Sequence, residues 1–278
     1  MRLHYVLLAA GAGFALGCAD SPTGITPSSQ RPSLIISGQP DAGQHPYVGL
    51  LVFDNAEGPA WLCSGSLLSP TVVLTAGHCT DGAVAVRIWM EENLEDNSEF
   101  PFGGATSYEG TAYTYSEFCA GCGPGLPGFA QGDVGIVVLS EPVPTSIVSE
   151  YAQLPAAGLV ETFDNSTTTI DLVGYGVQRR LRGGGPPVWT GQLIRLQATA
   201  LTISGQFAHS DQFLRLSANA AQGKGGICFG DSGGPDLIGG TDVVVGVNSY
   251  VTNLNCTGVT YSFRIDSPEV LSWIQSFL

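Results

Sequence analysis

The hexapeptide Gly230-Asp231-Ser232-Gly233-Gly234-Pro235 sets one serine among three glycines. Glycine lets a backbone turn sharply and aim successive N–H groups into one concavity. A hydroxyl on such a turn sits beside donors that can hold a developing oxyanion. That hydroxyl is a poor nucleophile at neutral pH and needs a base. His78, within Leu74-Thr75-Ala76-Gly77-His78-Cys79, is the candidate. An imidazole titrates near neutrality, so it can take a proton and return it. Of the other histidines, His4 lies in the apolar start of the chain, while His45 and His209 have no motif around them. A third group must orient the charged imidazole. Asp133 leads into Val134-Gly135-Ile136-Val137-Val138-Leu139, a candidate buried strand, whereas Asp96 and Asp164 lead no such run. The order His78, Asp133, Ser232 also differs from that of esterases with a strand–elbow–helix nucleophile, where the serine comes first.

These motifs together resemble those of the chymotrypsin/trypsin family of serine proteases, over about residues 35–278. Lesser matches follow in the same order. Ile35-Ile36-Ser37-Gly38 is similar to the family's mature amino terminus, Gly174-Tyr175-Gly176 to its Gly-Trp-Gly segment, and Ser249-Tyr250-Val251 to the strand that pairs with substrate. The resemblance implies a serine endopeptidase with His78, Asp133 and Ser232 as its triad. The N–H groups of Gly230 and Ser232 would form the oxyanion hole. Asp231 would pair with the amino group of Ile35 after cleavage before that residue, ordering the oxyanion loop. Leu34 precedes Ile35, and Arg31 is followed by Pro32, so a trypsin-like activator is not expected. At the pocket floor, six residues before Ser232, stands Gly226, which offers no carboxylate to Lys or Arg. Val251 takes the place of a wall glycine and narrows the pocket. An uncharged P1 residue is the expected preference.

The family spacing further implies disulfides Cys63–Cys79 and Cys228–Cys256. Cys119-Ala120-Gly121-Cys122 remains, and a C-x-x-C can be a redox or zinc motif. With no second metal pair left and Gly and Pro around it, a local loop disulfide is the plainer reading. Glu91, Glu92, Asn93, Glu95, Asp96 and Glu99 form an acidic loop that resembles the calcium loop of some trypsins in position and ligand type. A solvated acidic face is the competing reading. The chemistry itself requires no cofactor, and no metal ligand is assigned.

The fold class that the resemblance implies is all-β: two six-stranded antiparallel β-barrels packed together with a C-terminal helix, the barrels spanning about 35–150 and 151–278. The residues carry the same texture. Short apolar runs at 47–53, 72–76, 84–89, 134–139, 170–173, 193–201 and 243–247 recur between turn residues. Their β-branched content marks the strands of a barrel or sandwich. Ser267 and Pro268 open the last apolar run with an N-cap residue and a proline suited to a first helical turn. The resemblance sets that helix on the second barrel.

A chain of 278 residues is long enough for such a domain. Its formal charge of −14 leaves no basic face and argues against a nucleic-acid partner. The implied partner is a protein or peptide substrate, and the expected state is a monomer. Residues 1–17 read as an export signal, with Arg2 ahead of an apolar run too short to span a bilayer. Ala15-Leu16-Gly17-Cys18 resembles a bacterial lipoprotein signal, in which Cys18 is acylated and anchors the mature chain. Lipidating Cys18 would leave six of the seven cysteines, an even number for pairing. Ordinary signal cleavage and secretion is the alternative. Residues 18–34 are Ser/Thr/Pro-rich and read as a flexible tether or propeptide. A non-catalytic binding module on the same scaffold is the competing function, because fold alone does not carry activity. The intact serine, histidine and acid favour catalysis.

Overall fold

A computed structural model describes residues 38–123, 130–164, 167–176, 179–181, 188–190, 193–203, 208–218, 222–253 and 256–278. The expected signal, the tether, Cys18 and Ile35 lie outside these residues. Along the first half run β1 (Gln39–Pro40), β2 (Val48–Asn55), β3 (Gly58–Leu67), β4 (Val72–Thr75), the single turn α1 (Gly77–Thr80), β5 (Ala85–Trp89), β6 (Ser107–Thr114), β7 (Cys119–Ala120), β8 (Ala130–Gln131) and β9 (Gly135–Leu139). The second half carries β10 (Thr169–Gly174), β11 (Arg179–Leu181), β12 (Val188–Thr190), β13 (Leu196–Thr202), β14 (Phe213–Ala218), β15 (Pro235–Ile238), β16 (Val244–Val251), β17 (Gly258–Arg264) and α2 (Pro268–Gln275).

Two closed six-stranded antiparallel barrels result. The first has the order β2-β3-β4-β9-β6-β5. The second runs β13-β10-β15-β16-β17-β14 and closes through the β13–β14 pairing, with β1 added beside β13. Closure removes the sheet edges that would otherwise invite pairing with other chains. The apolar runs of the sequence fall on β2, β4, β5, β9, β10, β13 and β16. Tyr47, Leu50, Leu51, Phe53, Leu74, Ile88 and Trp89 fill the first core and are essentially fully buried. Truncating one of these, as in Leu50→Ala, typically costs about 2–5 kcal/mol.

The C-terminal helix forms as its sequence predicts. Ser267 is the N-cap, its hydroxyl accepting from the Val270 N–H at 3.3 Å, and Pro268 opens the first turn. Its aromatic residues reach the first barrel: Trp273 meets Tyr115, and Phe277, just past the helix, meets Tyr113, each at 5.1 Å between ring centroids, while Val270 and Ile274 are buried in a core cluster that includes Val247 and Phe263 of the second barrel. Tyr113, on β6, is among the exposed large side chains of the fold, and it and the adjacent Tyr115 offer a ready aromatic seat. Among the described residues, no helix is long and apolar enough to cross a membrane.

The second barrel carries an unusual internal charge. Asp236, on β15, is fully buried and neither carboxylate oxygen makes a hydrogen bond of ordinary geometry. Burial pushes its pKa up to about 7, and the nearby Ser262 hydroxyl offsets only part of that. A carboxyl raised in the folded state stabilises most below its unfolded value and loses that contribution as pH rises toward 7. Asp236→Asn is therefore expected to flatten the stability loss between pH 4 and pH 8 by up to about 4 kcal/mol, as read by urea unfolding at the two pH values. An unchanged difference between them would show that Asp236 is not the group responsible.

Candidate active site

Strand pairing brings His78 and Asp133 together. β4 and β9 are antiparallel neighbours, with Thr75 opposite Gly135. His78 follows the end of β4 and Asp133 precedes the start of β9, so both project from the same end of the barrel. Gly135 admits the α1 turn, since a Cβ there would lie 2.8 Å from the Ala76 carbonyl oxygen. The Cys63–Cys79 disulfide ties α1 to β3.

Asp133 is fully buried, while the His78 side chain keeps 32% of its surface exposed. His78 Nδ1 lies 3.0 and 2.9 Å from the two Asp133 oxygens, and the His78 backbone N–H donates to Oδ1 at 2.8 Å. The Ser249 hydroxyl donates to Asp133 Oδ2 from the second barrel. Burial alone would raise the Asp133 pKa. The His78 charge and hydrogen bond, with the Ser249 bond, outweigh it and hold the carboxylate below its usual range. Burial pulls His78 down, but the Asp133 charge and hydrogen bond prevail and raise it above 6.5. Because Nδ1 must donate to the carboxylate, the neutral ring presents its lone pair at Nε2.

Ser232 stands across the cleft on the loop between β14 and β15. Gly230 adopts φ +96°, a region that only glycine enters freely. Asn248 on β16 clamps the loop: Gly233 N–H donates to its carbonyl at 2.8 Å, and its own N–H donates to Gly234 O at 2.9 Å. Among the described residues, the N–H groups of Gly230 and Ser232 donate to no protein acceptor. Two unspent donors on either side of Asp231, one of them on the serine itself, suit a developing oxyanion. Asp231 points inward. Its Oδ1 accepts from Gly176 N–H and its Oδ2 from Cys228 N–H, each at 2.8 Å, and it is fully buried. Burial pushes its pKa up to about 7 despite those two bonds.

His78 and Ser232 share one cleft of about 390 Å³, walled by Ile227, Ser249, Tyr250 and Val251. Ser249, Tyr250 and Val251 thus fall where the sequence expects a substrate strand. Gly226 does not line this cleft. It is buried one residue behind, where a Cβ would lie 2.3 Å from that of Ala218, and Ile227 forms the wall instead. No local pattern in the sequence marks that wall, nor the Ser249 bond to Asp133, which joins residues 116 positions apart.

All three expected disulfides are present: Cys63–Cys79, Cys119–Cys122 and Cys228–Cys256. Cys63, His78 and Cys79 bring potential ligand atoms within 4.8 Å of one another, but both sulfurs are joined to each other and neither is a free thiolate. In the acidic loop three carboxylates have separate partners. Glu91 accepts from Asn97, Glu92 from the Ala42 N–H, and Glu99 from the Ala105 N–H.

The family model described as Trypsin matches residues 35–274. The chain belongs to the trypsin family. Among its relatives, a collagenase of Hypoderma lineatum is 26% identical over 276 residues, covering 94% of this chain and 95% of that protein. Chymotrypsin-like elastase family member 1 of Felis catus is 26% identical over 262 residues, covering 87% and 89%. The scabies mite inactivated protease paralogue S-D1 shares the fold, with a TM-score of 0.64 at 16% identity over 87% of this chain and 98% of that one. This trypsin-family domain is thus of serine-protease type, and its relatives act through protein or peptide substrates as a class. That an inactivated paralogue shares the architecture means that activity must be argued from the site.

Proposed function

We propose that this chain is a serine endopeptidase acting through His78, Asp133 and Ser232. The observation that carries the reading is the His78 ring, anchored at Nδ1 by a buried Asp133 and sharing a cleft with Ser232 beside two unspent N–H donors. Ser232 Oγ attacks the scissile carbonyl carbon while His78 Nε2 takes its proton. Asp133 stabilises the imidazolium without itself accepting the proton. The Gly230 and Ser232 N–H groups hold the oxyanion. Collapse expels the amine, which takes the proton from His78 and leaves an acyl group on Ser232. Water, deprotonated by the same imidazole, then releases the acid. A binding module would retain the fold without needing this alignment of base, acid and hydroxyl.

Specificity follows from the walls. Ile227 and Val251 present apolar side chains, and among the described residues no carboxylate lines the cleft. A Lys or Arg side chain entering it would lose hydration without a paired charge. A positional peptide library is expected to show cleavage after uncharged P1 residues; dominant cleavage after Arg would overturn this pocket assignment.

Activation is proposed to occur between Leu34 and Ile35. Asp231 is a buried carboxyl pushed to about 7, and a new amino group beside it would restore the charged form. If Cys18 carries a lipid, the same cut severs the tether and releases the enzyme. The relatives named above are animal proteins, so a bacterial anchor rests on residues 1–18 alone. Leu34 is apolar, and the enzyme's own inferred specificity would suit a cut by a neighbouring molecule. N-terminal sequencing of active protein should begin at Ile35, and Ser232→Ala expressed alone should stay uncut. Full activity in a species beginning at Cys18 would reject the activation step.

A further inference from the structure

Ser64 makes four hydrogen bonds at the junction of the two barrels. It is fully buried on β3, directly after Cys63. Its backbone N–H donates to Ser232 O at 2.8 Å, and its carbonyl accepts from the Thr75 hydroxyl at 2.9 Å. Its own hydroxyl donates to Gly230 O at 3.0 Å and accepts from Tyr175 N–H at 3.0 Å. The hydroxyl has one proton and Tyr175 N–H is a donor only, so the proton must go to Gly230. One small side chain therefore bridges the oxyanion loop to the 174–176 segment, whose Gly176 N–H holds Asp231 at 2.8 Å. The preceding residue, Cys63, is disulfide-bonded to Cys79, the neighbour of His78. The dipeptide Cys63-Ser64 thus fixes both halves of the site from one strand.

The consequence lies at Gly230. A glycine at φ +96° rotates at little steric cost. The peptide plane that carries the Gly230 carbonyl is held at two points: the Asp231 N–H donates to Cys228 O at 3.1 Å, and the Ser64 hydroxyl donates to the carbonyl itself. We propose that the Ser64 hydroxyl is a positioning residue for the oxyanion donors: with the Asp231 N–H bond it fixes the peptide plane that follows Gly230, and so limits the rotation by which the donors on either side of Asp231 could leave the oxyanion position. The inference rests on the serine-protease reading above. It assigns Ser64 no contact with substrate. Its effect should fall on the transition state, where the oxyanion exists, and spare ground-state binding.

Ser64→Ala retains the backbone bond to Ser232 and removes only the bridge. In the active enzyme it is expected to lower kcat by about 10- to 100-fold, less than outright loss of a donor, with KM within about twofold. A peptide aldehyde, whose hemiacetal oxygen occupies the oxyanion position, should weaken by the same factor as kcat. Unchanged kcat and aldehyde affinity would overturn the proposal. Equal weakening of KM and aldehyde binding would also overturn it, because that pattern marks general disorder of the cleft. Should Ser64→Ala fail to fold, Ser64→Cys, similar in size but a weak donor, carries the same comparison with the same two outcomes. Failure of the underlying reading is distinct: the wild-type enzyme would then not hydrolyse peptides through Ser232 at all.

Discussion

Ser232→Ala is expected to lower kcat by about a millionfold while leaving the thermal unfolding profile close to wild type. The Ser232 hydroxyl is the nucleophile of the proposed mechanism, so its loss leaves just oxyanion and binding contributions. Ser232 is half-buried and its hydroxyl makes no structural hydrogen bond among the described residues, so stability has little to lose. His78→Ala should cost nearly as much, because a hydroxyl without a base is not activated. The double variant should be scarcely worse than either single one. Triad members act as a unit, and removing the second from an already broken unit removes little. Steady-state hydrolysis of a peptide substrate by the three purified variants checks this; additive losses would mean that Ser232 and His78 act separately.

Asp133→Asn is the second large effect, with kcat expected to fall by about 10⁴-fold. An amide can present its NH₂ to Nδ1, which turns the imidazole to the tautomer with its proton on Nε2 and so removes the base. The pH profile should change with it. The base is neutral His78, so kcat/KM falls as pH drops through its pKa, which Asp133 holds above 6.5. Without the carboxylate, burial alone acts on the ring and the acid limb should move to lower pH. A limb that stays fixed in Asp133→Asn would contradict the charge coupling between the two groups.

The catalytic motifs were legible because their chemistry demands local neighbours. Glycines must flank Ser232 for the loop to turn, and His78 must sit beside Cys79 for α1 to be tied down. Strands such as β2 and β9 were legible through unbroken apolar runs buried on both faces. Others were not. β6 alternates partly buried and exposed positions and mixes Ser, Glu and Thr among its residues. β15 opens on a proline and carries the buried Asp236, and β17 turns Thr260 and Ser262 into the core. Polar residues at interior positions break the alternation on which a sequence reading depends. The contacts of the C-terminal aromatics were not legible for a related reason: the Tyr113 and Tyr115 that they meet lie far away in the chain. The part of Ile227 in the cleft wall was not legible, because only the path of the backbone shows which side chain of the 226–228 segment turns inward.

The central claim is that Ser232 is a nucleophile activated by His78. Labelling with a peptidyl phosphonate, followed by peptide mapping, tests it most directly because it reads bond formation at one atom. A single adduct on Ser232 is expected, absent in Ser232→Ala and formed far more slowly in His78→Ala. Peptide hydrolysis by a protein that carries no adduct at Ser232, or whose Ser232→Ala variant labels at the same rate, would contradict the account.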